Sequence, residues 1–227
     1  MVQLSVVEAR VLGVLIEKEI NTPEYYPLSL NATMNACNQK SSREPVMELS
    51  ESDVRTALFE MDQMGLVKTV AESRATKFEH RVRDVLNLRR DEVAVMCLLL
   101  LRGAQTSAEL RARTERMYSF DDNAAVISTL ERMAGREEPL TQLMQRQPGA
   151  REARWVHLLS GAVSDVAVAL SASARGGADR SDRVEHGEVG GVSSGQRLDA
   201  LEEMVFSLEQ RLKALEDAVE LRSPEIE

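Results

Sequence analysis

The feature that most limits how this chain can fold is an internal repeat. Two stretches follow the same order: three helical segments, then two strand-like runs. Glu8, Val11 and Leu15 answer to Glu92, Val95 and Leu99 at an offset of 84 residues. Val54, Leu58 and Met61 answer to Val126, Leu130 and Met133 at an offset of 72. Phe78, His80 and Val82 answer to Trp155, His157 and Leu159 at an offset of 77. The first copy therefore has 12 more residues between its first and third helices, and the second has 5 more in its hairpin.

Local signals fix the elements. Ser5 with Glu8 forms a capping box, and Val7, Val11, Val14 and Leu15 then share one helical face until Asn21, Thr22 and Pro23 stop the helix. A short helix is predicted over Leu28 to Asn38, followed by a polar stretch that contains Pro45. Ser50 with Asp53 caps a third helix, with Val54, Leu58 and Met61 inward and Gly65 as its stop. Leu66 to Val70 and Thr76 to Val82 read as strands around a turn at residues 71–75, with Phe78, His80 and Val82 on one face. In the second copy, helices are predicted from Asp91 to Arg102, from a Thr106/Glu109 capping box to near Arg116, and over residues 121–134. Leu140 to Arg146 and Glu152 to Leu159 then form a hairpin around Gln147-Pro148-Gly149.

Three helices and a two-stranded ribbon make the winged-helix plan, a helix-turn-helix variant. Three short helices leave one side of their shared core open, and the ribbon covers it. The expected fold is mainly α with small β-hairpins: tandem winged-helix domains at residues 1–84 and 85–161, plus a C-terminal coiled-coil helix. Residues 162–195 are expected to be a flexible linker, because residues 171–195 are rich in Ser, Gly, Ala and charge and carry little apolar surface. Residues 196–222 carry a 3-4 heptad pattern: Leu198, Val205, Leu212 and Val219 lie seven apart, and Leu201, Leu208 and Leu215 fill the alternate seam. Arg211 and Glu216 suit an interhelical ion pair of a parallel dimer. The same pattern also fits an amphipathic helix folding back on its own domain.

Composition enters as an objection. The formal net charge is −9, which argues against a general attraction to nucleic acid or anionic lipid. Most of it is local. Residues 1–84 carry 10 basic and 13 acidic side chains, residues 85–160 carry 11 and 10, and residues 161–227 carry 7 and 14. No uninterrupted apolar stretch follows a basic start at the N-terminus, and the longest apolar run, Val93 to Leu101, is far short of the roughly 20 residues of a membrane helix. A cytoplasmic location without membrane contact is expected. Cys37 and Cys97 are then free buried thiols. His80, His157 and His186 are scattered, and no metal-ligand spacing, phosphate loop or nucleophile elbow occurs, so no metal, cofactor or enzymatic activity is expected.

Three stretches are distinctive: Glu17-Lys18 with Thr22-Pro23-Glu24-Tyr25-Tyr26-Pro27-Leu28; Ala36-Cys37-Asn38-Gln39-Lys40-Ser41-Ser42-Arg43-Glu44-Pro45-Val46-Met47 with Leu49-Ser50-Glu51; and Leu99-Leu100-Leu101-Arg102-Gly103-Ala104-Gln105-Thr106. Together they closely resemble the YceH family of bacterial proteins, a domain of unknown function, over roughly residues 3–161. The resemblance implies a tandem winged-helix fold and delivers no function, because the family has no established biochemical activity. The family usually ends near residue 161, so the linker and heptads are a departure from it.

A winged helix reads duplex DNA with its third helix in the major groove and its ribbon on phosphates. Candidate nucleic-acid-binding residues are Asn38, Gln39, Lys40 and Arg43 in the extra segment of the first copy, Arg55 on its third helix, Arg74 and Lys77 at its ribbon, Arg111 and Arg113 on the second helix of the second copy, and Arg151 and Arg154 at the second ribbon, near Arg146. Against this, the first third helix carries Glu51, Asp53, Glu60 and Asp62 beside Arg55, and the second carries Asp121, Asp122 and Glu131 beside Arg132. Acids there repel the phosphate backbone. Two readings follow. One is a regulatory DNA-binding protein, dimerised through Leu198, Leu201, Val205, Leu208, Leu212, Leu215 and Val219, with several weak modules acting together. The other is a protein-interaction adaptor on the same scaffold. His80 and His157, and the aromatics Tyr25, Tyr26, Tyr118 and Phe120, are expected to serve packing.

Overall fold

The computed structural model describes residues 2–71 and 76–161. They are mainly helical with small antiparallel sheets. Helix α1 (Val6–Asn21) begins at the expected box: the Ser5 hydroxyl accepts from the Glu8 N–H at 3.2 Å, and the Glu8 carboxylate accepts from the Ser5 N–H at 2.6 Å. A 3₁₀ turn (Pro23–Tyr25) leads into strand β1 (Leu28–Ser29) and helix α2 (Leu30–Cys37), which Ser29 caps. Helix α3 (Glu51–Gln63) carries the Ser50/Asp53 box and ends before Gly65, whose φ of +71° lies in the left-handed region glycine tolerates. Strands β2 (Val67–Ala71) and β3 (Thr76–His80) follow, and then a short α4 (Val82–Val85). The second copy contains α5 (Arg90–Arg102), α6 (Ser107–Thr114), α7 (Asn123–Ala134), β4 (Thr141–Leu143) and β5 (Trp155–His157).

Three boundaries differ from the sequence reading. Leu28 and Ser29 belong to a strand, since Leu28 pairs with Phe78 and Ser29 with Lys77 across an antiparallel sheet ordered β1-β3-β2. Val82 starts a helix where a strand end was expected. The second ribbon is three residues per strand, shorter than its apolar run suggests. The first difference strengthens the repeat. Leu28 pairs with Phe78, and 77 residues on Gln105 pairs with Trp155. Each bridge lies one residue before the N-cap of the second helix, Ser29 in one copy and Thr106 in the other. The expected turn at residues 71–75 is described only at Ala71. The linker at 162–195 and the coiled coil at 196–222 lie outside the described residues.

Apolar packing crosses the boundary expected at residue 84. One apolar cluster takes Val11, Leu12 and Leu15 of α1 together with Val93, Met96, Leu100 and Leu101 of α5, and with Met133, Leu140 and Leu159 from the end of the second copy. Every residue from Glu8 to Ile16 and from Glu92 to Leu101 is buried, so these two helices are covered on all sides rather than along one stripe. Gly13 makes their close approach possible: a Cβ there would lie 2.9 Å from the Leu101 side chain. The Cys97 thiol donates to the Gly13 carbonyl at 3.4 Å. Leu4 N–H donates to the Leu159 carbonyl at 2.6 Å, tying the two ends of the unit together. Both cysteines are free and buried, and burial raises the Cys37 thiol to about 12. Among the described residues, no helix is long and apolar enough to cross a membrane.

The two equivalent histidines differ. His80 is more than a packing residue. Its Nε2 lies 2.9 Å from Glu19 Oε2, its backbone N–H donates to the Tyr26 hydroxyl at 2.6 Å, and its ring meets Tyr26 edge-on. Contact with His80 holds the Glu19 carboxyl below the usual range, against the effect of burial. His157 has a buried Nδ1 with no partner among the described residues, and burial pushes its pKa from 6.5 down to about 4. Its folded pKa is below its unfolded one, so acid favours the unfolded chain. The contribution is complete above the unfolded value and is lost as pH falls from 6.5 toward 4. Unfolding in urea should therefore show about 2 kcal/mol less stability from this group at pH ~5 than at pH ~7.5. His157→Gln should flatten that dependence, and an unchanged slope in the variant would refute the assignment.

Candidate nucleic-acid interface

Of the cations expected to face DNA, most are tied inside the fold. Arg43 is 5% exposed. Its Nη1 and Nη2 grip the two Glu17 oxygens at 3.0 and 2.6 Å, and its Nε donates to the Ala36 carbonyl at 3.1 Å. The expectation of a free surface cation there is corrected: the charge is matched by Glu17 of α1, 26 residues away in sequence. Asn38 forms a closed pair with Leu49, donating to its carbonyl and accepting from its N–H, both at 2.8 Å. That is the local backbone role rather than a base contact. Gln39 accepts from Arg43 at 2.9 Å. Arg10, also buried, donates to the carbonyls of Cys37 and Pro45. Thus the segment between α2 and α3 is clamped by two arginines, and of its candidates Lys40 is the exposed cation.

The third helices are similar. Arg55 is bound by Glu51 on the exposed face of α3. Arg132 reaches back to the start of α5, where it binds Asp91 and Glu92, and Arg136 joins Glu92 at 2.9 Å. Burial opposes ionisation of Asp91, but the Thr129 hydroxyl and Arg132 outweigh it and hold its carboxyl below the usual range. What α7 and its cap leave exposed is Asp121, Asp122, Ala124, Ser128 and Glu131. On α3 the exposed set is Glu51, Ser52, Asp53, Arg55, Thr56, Phe59, Glu60 and Gln63. Phe59 is 65% exposed and Val6 at the start of α1 is 63% exposed. A depression of about 240 Å³ runs between these helices, lined by Val7, Asp53, Thr56, Ala57 and Glu60 among others.

At the ribbons, Arg154 donates to Glu109 and to the Ala104 carbonyl, both at 2.8 Å, and Lys77 is half-buried opposite Val70. Arg151 and Arg146 are exposed, while Arg74 lies outside the described residues, as do the heptad positions from Leu198 to Val219. Arg111 donates to the Asp121 carbonyl at 2.8 Å. Of the aromatics, Phe120 is buried against Tyr118, but Tyr25 is 73% exposed, contrary to a packing role.

Arg113 belongs to a group with Arg102, Arg111 and Arg116 that the sequence places around the second helix of the second copy, but the sequence does not show which residues of the first copy meet them. A cleft of about 580 Å³ is lined by Lys18, Thr22, Gln39, Ser41, Arg102, Arg113 and Arg116, among others. It brings together all three stretches that carry the family resemblance. The signal was visible only as three separate motifs, because nothing local places residues near 18, 41 and 102 side by side.

A family described as a protein of unknown function, DUF480, matches residues 4–150. A UPF0502 protein of Koribacter versatilis (strain Ellin345) is 55% identical over 152 residues, which cover 66% of this chain and 71% of the relative. A UPF0502 protein of Solibacter usitatus (strain Ellin6076) is 50% identical over 183 residues, covering 80% of this chain and 88% of the relative. The resemblance read from the three motifs and these matches agree: the chain belongs to the uncharacterised DUF480 or UPF0502 family, the YceH-like proteins.

Proposed function

We propose that residues 2–161 form a tandem winged-helix scaffold that docks a protein, making the chain an interaction adaptor rather than a major-groove reader or an enzyme. The observation that supports this best is the exposed face of α3. Its one cation is neutralised by Glu51, its rim is acidic through Asp53 and Glu60, and Phe59 stands in solvent beside them. A groove reader needs a cation for each phosphate it contacts. A solvent-facing aromatic beside a depression is the anchor common in protein interfaces, and carboxylates at its rim suit a basic partner. The second reading, duplex binding of regulatory type strengthened by self-association through the heptads, draws on Arg146 and Arg151, which are exposed near the second ribbon's turn. It would use phosphate contacts alone.

One experiment separates the two. The full chain is used to capture partners after nuclease treatment, with Phe59→Ala as the comparison, and in parallel is titrated with mixed duplex fragments at low salt. The adaptor reading expects a basic protein partner whose capture falls at least fivefold in the variant, and no salt-dependent duplex binding. The Phe59→Ala variant should melt close to the parent, within about 0.5 kcal/mol, because the ring is exposed. Tight, salt-dependent duplex binding lost on Arg146→Ala/Arg151→Ala substitution would replace the adaptor reading with the DNA reading.

A further inference from the structure

We infer that the cleft between the two copies binds a small phosphorylated ligand, nucleotide-sized or smaller, through Lys18, Arg102, Arg113 and Arg116. These four cations share the cleft with one carboxylate, Glu17. Glu17 is already held by both terminal guanidinium nitrogens of Arg43, and the four cations outnumber it. Lys18 also lies 3.5 Å from it.

Arg113 is held in place by the fold. Its Nη1 donates to Gln105 Oε1 at 2.6 Å, and Gln105 is 1% exposed and donates in turn to the Leu98 carbonyl at 3.0 Å. Arg102 has a buried Nε with no acceptor among the described residues. A buried donor without a partner is costly. Burial, Arg113 and Arg43 disfavour the charged form of Arg102, with Glu44 and Glu17 acting the other way. Bringing an anion in relieves that repulsion. Arg116 is exposed with no partner among the described residues, and the hydroxyl of Ser41 adds a neutral donor. The volume of about 580 Å³ lies within the range of about 300–1,000 Å³ typical of small-ligand sites. None of the residues lining the cleft comes from α3, so this inference stands apart from the docking proposal.

The test is isothermal titration calorimetry of the full chain with pyrophosphate, with ATP and with a mixed DNA duplex, at two salt concentrations. Pyrophosphate, ATP or both should bind more weakly at the higher salt. Arg113→Ala and Arg116→Ala should each weaken binding about tenfold, the size expected for losing a charge-assisted contact. Arg116 is exposed, so its variant keeps the test valid if Arg113→Ala fails to fold. Tighter binding of ATP than of pyrophosphate would identify a nucleotide, and equal binding a bare phosphate site. The inference is overturned if neither compound binds at millimolar concentration in low salt, or if both variants bind like the parent. It is also overturned if the duplex displaces pyrophosphate and depends on the same arginines.

Discussion

Replacing Glu92 by Gln should lower the stability of residues 2–161 by about 3 kcal/mol, a fall in melting temperature of about 6–12 °C. Glu92 is wholly buried and carries three tasks at once. One oxygen accepts from Arg132 Nε at 2.9 Å, and the other accepts from Arg136 Nη2 at 2.9 Å and from the Arg89 N–H at 2.9 Å. The first contact binds α7 to α5, and the second binds the residues just after α7 to it. The third closes the first turn of α5. Removing one partner of a buried ion pair leaves the others uncompensated, which costs about 3–5 kcal/mol in fully buried cases. Arg132 and Arg136 keep some access to solvent, with side chains 33% and 26% exposed, so the lower part of that range applies. Arg136 would retain its bonds to the carbonyls of Leu86 and Asn87. Hydrogen exchange should therefore loosen first at α7 and the start of α5, and least at α3. Glu131→Gln on the exposed face of α7 is the control, with a change within about 0.5 kcal/mol. Equal melting of the two variants would show that the cluster does not hold α7 in place.

The same cluster explains where reading the sequence succeeded and where it stopped. The match of Glu8 with Glu92 was legible because a capping carboxylate sits at a fixed distance from its cap, and both do serve that role. The caps at Ser50 and Thr106 and the stop at Gly65 were legible for the same reason: each is settled within four residues. Strand β1 was not legible. Two residues carry no alternation, and its partner Phe78 lies fifty positions away. Nor was the fate of the arginines. A guanidinium in a polar stretch reads as surface, yet Arg43, Arg132 and Arg154 find carboxylates 26, 40 and 45 residues distant. Sequence reading weighed the acids of the third helices against groove binding, but it could not see that the cation opposing them on α7 is engaged by Asp91 and Glu92. It also could not see the shared core of α1 and α5, because an amphipathic stripe in α1 predicts one buried face and says nothing about a second repeat packed against the other.

Arg43 gives the second large effect and the cleanest contrast between the two meanings of the segment at residues 38–49. Arg43→Ala should destabilise the protein by about 3–5 kcal/mol, because it strands Glu17 and empties a buried site. The Arg43 side chain is 0% exposed and Glu17 only 14%, so water replaces little of what is lost. Its bonds to the carbonyls of Ala36 and Ser42 disappear as well, freeing the end of α2 and the turn after it. Arg10 still ties Cys37 and Pro45, which limits the loosening to residues near 39–44. A double-mutant cycle with Glu17→Gln should give a coupling above about 1.5 kcal/mol, since the two side chains form a bidentate pair. If Arg43 instead served as a phosphate contact, the variant would melt like the parent, show no coupling with Glu17, and lose duplex affinity in a salt-dependent way. Thermal denaturation of the parent, the two single variants and the double variant decides between these outcomes. A structural clamp makes the Glu17→Gln loss nearly absent once Arg43 is already Ala, whereas two independent surface residues would give losses that simply add.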